Sequence, residues 1–198
     1  MDTDNFLRAL PRPFGLANWV TLIRAVVAFG LLAEAIHLLA GGRAAGTGLR
    51  WLVVLVASTA LCLDWVDGYL ARRLGTATGF GARFDMETDA VMILALAALA
   101  WTFGQAGPWV LASGLLRYIF VISGRLWPVL TLPLPPRKRR QSLCVAQAIA
   151  LILALAPPVT PIWGSAICLA GLGFLSYSFG LDLAWLAGQA RAKGEAVW

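Results

Sequence analysis

The sequence predicts an all-α integral membrane protein with six transmembrane helices and a site on the cytoplasmic side. Three observations predict it. The 198 residues are 60% hydrophobic and only 13% charged, and mean hydropathy is +0.77; a soluble domain is usually about half apolar at most. The apolar residues fall in runs of about 20, the length a helix needs to cross the hydrocarbon core of a bilayer. Lysine and arginine gather in alternate segments between those runs. The runs lack strict alternation, which argues against a closed barrel, the other way to satisfy the backbone in lipid.

The six spans are expected at roughly 17–40, 49–72, 84–104, 108–130, 142–157 and 160–187. Gly and Pro punctuate every break, from "GGRAAGTG" at Gly41–Gly48 to "PPVTP" at Pro157–Pro161. No repeat and no second domain is visible, so 1–198 reads as one domain. The polar, Pro-containing start, "MDTDNFLRALPRPFGL", does not read as a cleavable signal peptide. Eleven basic residues fall on one side: Arg8, Arg12, Arg72, Arg73, Arg83, Arg137, Lys138, Arg139, Arg140, Arg191 and Lys193. The other side carries two, Arg43 and Arg50. The positive-inside rule then puts both termini in the cytoplasm, as expected for a multi-pass protein of the plasma (inner) membrane. The net charge of +6 reads as topology and contact with anionic lipid rather than with nucleic acid. Cys62, Cys144 and Cys168 all lie in apolar runs and suggest neither disulfides nor a zinc site. Trp51, Trp101, Trp109, Trp127 and Trp163 stand near span ends, where tryptophan anchors the interface.

The acidic residues are not spread evenly. Five of the ten lie in "DWVDGYLARRLGTATGFGARFDMETD": Asp64, Asp67, Asp85, Glu87 and Asp89. On a helix Asp64 and Asp67 share a face, and so do Asp85 and Asp89. An antiparallel pair of helices would bring the four aspartates together. Such a cluster repels itself and needs a cation. Its ligands are hard oxygens, which select Mg²⁺, Mn²⁺ or Ca²⁺. Two divalent ions about 4 Å apart suit in-line displacement at phosphorus. Gly68 and Ala71 leave room beside the cluster, and Arg72 with loop amides can meet phosphate oxygens. Glu87 points off this face. Arg24, Arg117 and Arg125 lie within spans, where ionisable groups mark function by default.

The pattern D-x2-D-G-x2-A-R-x8-G-x3-D-x3-D is met at Asp64, Asp67, Gly68, Ala71, Arg72, Gly81, Asp85 and Asp89. It resembles the motif of the CDP-alcohol phosphatidyltransferase family. "ANWVTLIR" is similar to the family's first-helix segment at Asn18, Thr21 and Arg24, with Ala17 in place of the usual proline. The resemblance implies that a CDP-linked lipid gives its phosphatidyl group to an alcohol and CMP leaves. It implies two divalent cations, Mg²⁺ or Mn²⁺. Asp64, Asp67 and Asp85 would hold one, and Asp64, Asp85 and Asp89 the other. Asp89 would also be the general base. Gly68, Ala71, Arg72, Gly81 and Asp67 would line the CDP site, with Asn18 and Thr21 nearby. A homodimer is implied as well.

The acceptor stays open. Arg117, Arg125 and the run Arg137, Lys138, Arg139 and Arg140 would make an electropositive pocket for a phosphorylated acceptor such as glycerol 3-phosphate. The run could equally serve topology and anionic lipid. "RKRRQSL" replaces the Lys-x-Lys-Thr arrangement of the glycerol 3-phosphate enzymes. An inositol phosphate, an uncharged alcohol or a lipid alcohol, as in cardiolipin synthases, are the alternatives. Glu34 and Asp182 are the expected structural partners of Arg117 if it meets no ligand. Two other classes compete. A prenyltransferase would carry acidic motifs far apart and ignore CMP. A divalent-cation transporter would place its site at the bilayer midplane between repeats.

Overall fold

The structure, a computed structural model, describes residues 16–42, 46–74, 79–126 and 138–192. These residues form six α-helices, one short 3-10 helix and no strand. The α-helices are α1 (Leu16–Leu39), α2 (Thr47–Leu74), α3 (Gly79–Thr102), α4 (Ala112–Leu126), α5 (Lys138–Leu155) and α6 (Pro161–Ala192), and the 3-10 helix Pro108–Leu111 precedes α4. Each lies on one of the six apolar runs. The helices run past the expected spans around the acidic stretch. There α2 runs on to Leu74 and α3 starts at Gly79, so only residues 75–78 separate them.

Three helices contain stretches long and apolar enough to cross a membrane: Trp19–Leu39 in α1, Thr47–Trp65 in α2 and Pro161–Gln189 in α6. α5 has a shorter apolar stretch, Ser142–Leu155. The described part of α4 has 15 residues, about 22 Å at 1.5 Å per residue. α3 spends its first turns on Asp85, Glu87 and Asp89.

α3 forms the centre. Ala95, Leu96, Ala97, Leu99 and Ala100 have no exposed surface, as a helix that is apolar all round requires. Its alanines let neighbours come close on several sides. α1 lies along it, α4 and α5 also pack on it, α6 packs on α5, and α2 touches α1 and α5. The outer helices show their apolar side chains instead. Ile23, Val26 and Phe29 of α1, Leu52 and Leu55 of α2, and Phe174 and Tyr177 of α6 are exposed. A continuous apolar exterior belongs against lipid.

One end of the bundle is tied by hydrogen bonds. α3 ends at Thr102, and the chain turns at Gly104, whose φ of 70° only glycine adopts easily. The chain then turns Gln105 inward. Arg50 of α2 donates from Nε to the Leu155 carbonyl at 3.2 Å and from Nη2 to the Ala156 carbonyl at 3.1 Å. The Leu155 carbonyl ends α5 and has no partner within its own helix, and the Ala156 carbonyl just beyond it also accepts from Val159 N–H at 3.0 Å. The Gln105 amide nitrogen donates to Ala154 O at 3.1 Å and Val159 O at 3.3 Å, and its oxygen accepts from Arg50 Nη2 at 3.0 Å. The guanidinium also lies 6.0 Å from the centre of the Phe103 ring, a cation–π distance. The three cysteines are free.

α3 and α4 meet backbone to backbone. A Cβ on Gly114 would stand 2.6 Å from Leu94 Cα, nearer than atoms can pack. Gly114→Ala must push α4 outward, at a cost of about 1–3 kcal/mol. We predict a lower unfolding temperature for this variant in detergent. An unchanged temperature would mean that the helices do not approach this closely.

Candidate active site

The opposite end of the bundle collects charge. Asp64 lies late in α2, and Asp85 and Asp89 lie early in α3. The late turns of α2 and the early turns of α3 meet there, since the three carboxylates lie together. Asp85 and Asp89 are four positions apart, which stacks them on one face. α1 packs along α3 and brings Arg24 to the same place.

Arg24 sits among the three carboxylates. Its Nη1 donates to Asp85 Oδ1 at 2.6 Å and is 2.6 Å from Asp64 Oδ1, while Nη2 donates to Asp89 Oδ1 at 2.5 Å. Arg24 is 2% exposed. A guanidinium at that depth is tolerated only with anionic partners. Its Nε is buried and has no hydrogen-bond partner among the described residues.

One carboxylate oxygen each from Asp64, Asp85 and Asp89 lies within 4.8 Å of the others. One guanidinium against three ionised carboxylates leaves two negative charges uncompensated. A divalent cation carries that charge, and an all-oxygen donor set is what Mg²⁺ or Mn²⁺ takes. The residues present therefore fit such an ion. A narrow cavity opens beside the cluster. Arg24, Asp64 and Asp89 line its polar end, and Ala57, Ala60, Ala148 and Ile152 its apolar length.

Of the other expected residues, Thr21, Gly68, Gly81 and Arg117 are described. Thr21 is buried one turn before Arg24. Gly68 follows Asp64 by one turn of α2, and Gly81 precedes Asp85 by one turn of α3. The side chains of Asn18, Asp67, Ala71, Arg72, Arg125, Lys138, Arg139 and Arg140, and all of Arg137, lie outside the described residues. Arg117 departs from expectation in its partner. Its Nη2 donates to Glu87 rather than to Glu34 or Asp182. Glu87 is two residues from Asp85, so it faces away from the cluster and towards α4. The sequence signal for this pair was the cluster's own spacing, which turns Glu87 to the other side of α3.

The sequence pattern of CDP-alcohol phosphatidyltransferases matches residues 14–177. The chain belongs to the CDP-alcohol phosphatidyltransferase family. It is similar to the CDP-diacylglycerol–glycerol-3-phosphate 3-phosphatidyltransferase of Pseudomonas fluorescens, with 36% identity over 137 residues, 65% of this chain and 67% of that protein. The enzyme of the same name from Bacillus subtilis (strain 168) is 33% identical over 75 residues, 38% of this chain and 37% of that one. No solved structure gives a significant match. Membership makes the chain a transferase of phospholipid biosynthesis; among the described residues its carboxylates converge at this end of the bundle.

For this family member we predict that Asp64→Ala and Asp85→Ala each lose Mn²⁺ binding by calorimetry and lose activity together. Either variant keeping full metal affinity would show that these carboxylates do not hold the ion.

Proposed function

We propose that the protein transfers the phosphatidyl group of CDP-diacylglycerol to glycerol 3-phosphate and releases CMP. The observation that carries the reading is the Arg24-centred carboxylate cluster in a member of this family. The acceptor is supported by the names of both relatives and by Arg117, which the α3–α4 contact sets beside the same end of the bundle. The protein crosses the plasma membrane six times with this end in the cytoplasm, a reading that rests on the eleven-to-two division of basic residues. It works as a homodimer, on family likeness alone.

Asp64, Asp67 and Asp85 hold one divalent cation, Mg²⁺ or Mn²⁺, and Asp64, Asp85 and Asp89 a second. When bound, these ions neutralise the diphosphate and ease the departure of CMP. Asp89 takes the proton from the acceptor hydroxyl. The freed oxygen bonds to the phosphatidyl phosphorus as the bond from that phosphorus to the CMP oxygen breaks. Asn18, Thr21, Gly68, Ala71, Arg72 and Gly81 face the CDP moiety. The apolar length of the cavity, between α2, α3 and α5, takes an acyl chain from the side. Arg117 and Arg125 bind the acceptor phosphate. Arg137, Lys138, Arg139 and Arg140 add a salt-sensitive attraction near water.

Asp89→Asn keeps the shape but cannot accept a proton. It should lower kcat at least about 100-fold while CDP-diacylglycerol still binds. CMP release at a near wild-type rate would remove Asp89 from that role.

Arg117→Ala tests the acceptor. A charged hydrogen bond to phosphate contributes roughly 1.5–3 kcal/mol, so the KM for glycerol 3-phosphate should rise on the order of 10- to 100-fold with donor affinity unchanged. Steady-state kinetics with glycerol 3-phosphate, an inositol phosphate and an uncharged alcohol decide it. A best acceptor without phosphate, or an unchanged KM, would refute the acceptor and leave the CDP-alcohol chemistry standing.

A further inference from the structure

We infer that Glu87 is an internal stand-in for the acceptor's phosphate: it pairs with Arg117 until the phosphate arrives and then yields its place. The inference rests on the acceptor reading above. Glu87 stands apart from the catalytic cluster. Arg24 pairs with Asp64, Asp85 and Asp89, whereas Glu87 meets Arg117 on the α4 side of α3.

The pair is asymmetric. The Glu87 side chain is 53% exposed and that of Arg117 is 26% exposed. Glu87 engages Nη2, while Arg117 Nε is buried and has no hydrogen-bond partner among the described residues. A structural pair at this depth would satisfy both nitrogens of the fork. This one leaves a donor unspent, pointing inward. A phosphate can take two adjacent N–H groups of a guanidinium at once, which a carboxylate held by one nitrogen does not.

Exchange is easy on energetic grounds. An ion pair with one partner open to water holds weakly. A carboxylate cannot stay beside a bound phosphate, since like charges repel at that range. The half-exposed Glu87 side chain has room to turn aside, so Arg117 does not need to move. In the resting enzyme the carboxylate compensates a guanidinium that membrane depth would otherwise penalise. It also sets a threshold for entry. A phosphorylated alcohol brings the charge that displaces Glu87, whereas an uncharged alcohol brings none and leaves the pair intact. Glu87 is therefore a specificity-determining residue that acts through Arg117.

Glu87→Gln tests this in the full-length enzyme. Removing the competing charge should lower the KM for glycerol 3-phosphate about threefold to fivefold, with the change in KM and not in kcat. Glu87→Ala should move it the same way. On an Arg117→Ala background neither substitution should change the acceptor KM, because the residue it competes for is gone. With an uncharged alcohol as acceptor neither should matter. A KM that stays the same or rises in Glu87→Gln and Glu87→Ala, with Arg117→Ala still raising it, would overturn the inference alone. A KM untouched by Arg117→Ala would overturn the acceptor reading and this inference with it.

Discussion

The structure depends on one buried cation. Arg24 lies within an apolar helix, where an unpaired guanidinium is prohibitive, and α1 can fold against α3 only if carboxylates come to meet it. Asp64, Asp85 and Asp89 do so from two other helices. The demand works in both directions. Three carboxylates this close would drive α2 and α3 apart without a positive charge between them. The ion pairs therefore fix the relative positions of three helices. They also leave the cluster with net negative charge, and that residual charge gives it a use. The alanines of α3 are the packing side of the same arrangement, since bulkier residues would hold α1 too far away for Arg24 to reach.

The two ends of the bundle spend an arginine differently. Arg50 turns to the neutral carbonyls of Leu155 and Ala156 and to the amide of Gln105. It closes the end of a helix and joins α2 to the α3–α4 and α5–α6 connections. Arg24 turns to carboxylates that outnumber it. Arg117 is intermediate, with one exposed carboxylate and one unspent donor. Residue type alone did not separate these roles. The charge, burial and number of the groups facing each guanidinium did.

Much of this was legible in the sequence for a physical reason. Hydrophobic runs punctuated by Gly and Pro give helices almost without alternatives in lipid, and each of the six runs carries a helix. Asp64, Asp85 and Asp89 were readable because helical spacing fixes which side chains share a face. The centre of the cluster was less legible. Arg24 stands forty residues before Asp64, and no local spacing links them; only the packing of α1 on α3 does. The same holds for Arg117. Glu34 and Asp182 were plausible partners because they share its depth, yet the α3–α4 contact presents Glu87 instead. Near the motif the helix extends beyond its apolar run: α3 begins at Gly79, ahead of the span expected from about 84. Polar first turns carry no hydropathy signal.

The central claim is that the Arg24-centred cluster supports metal-dependent transfer from a CDP-linked lipid. The most direct measurement is CMP formation by the purified protein in lipid vesicles containing CDP-diacylglycerol. CMP should form only when glycerol 3-phosphate and Mg²⁺ or Mn²⁺ are both present, stop after chelation, and recover when the metal is restored. CMP release that ignores chelation, or metal flux across the vesicle with no CMP at all, would contradict it.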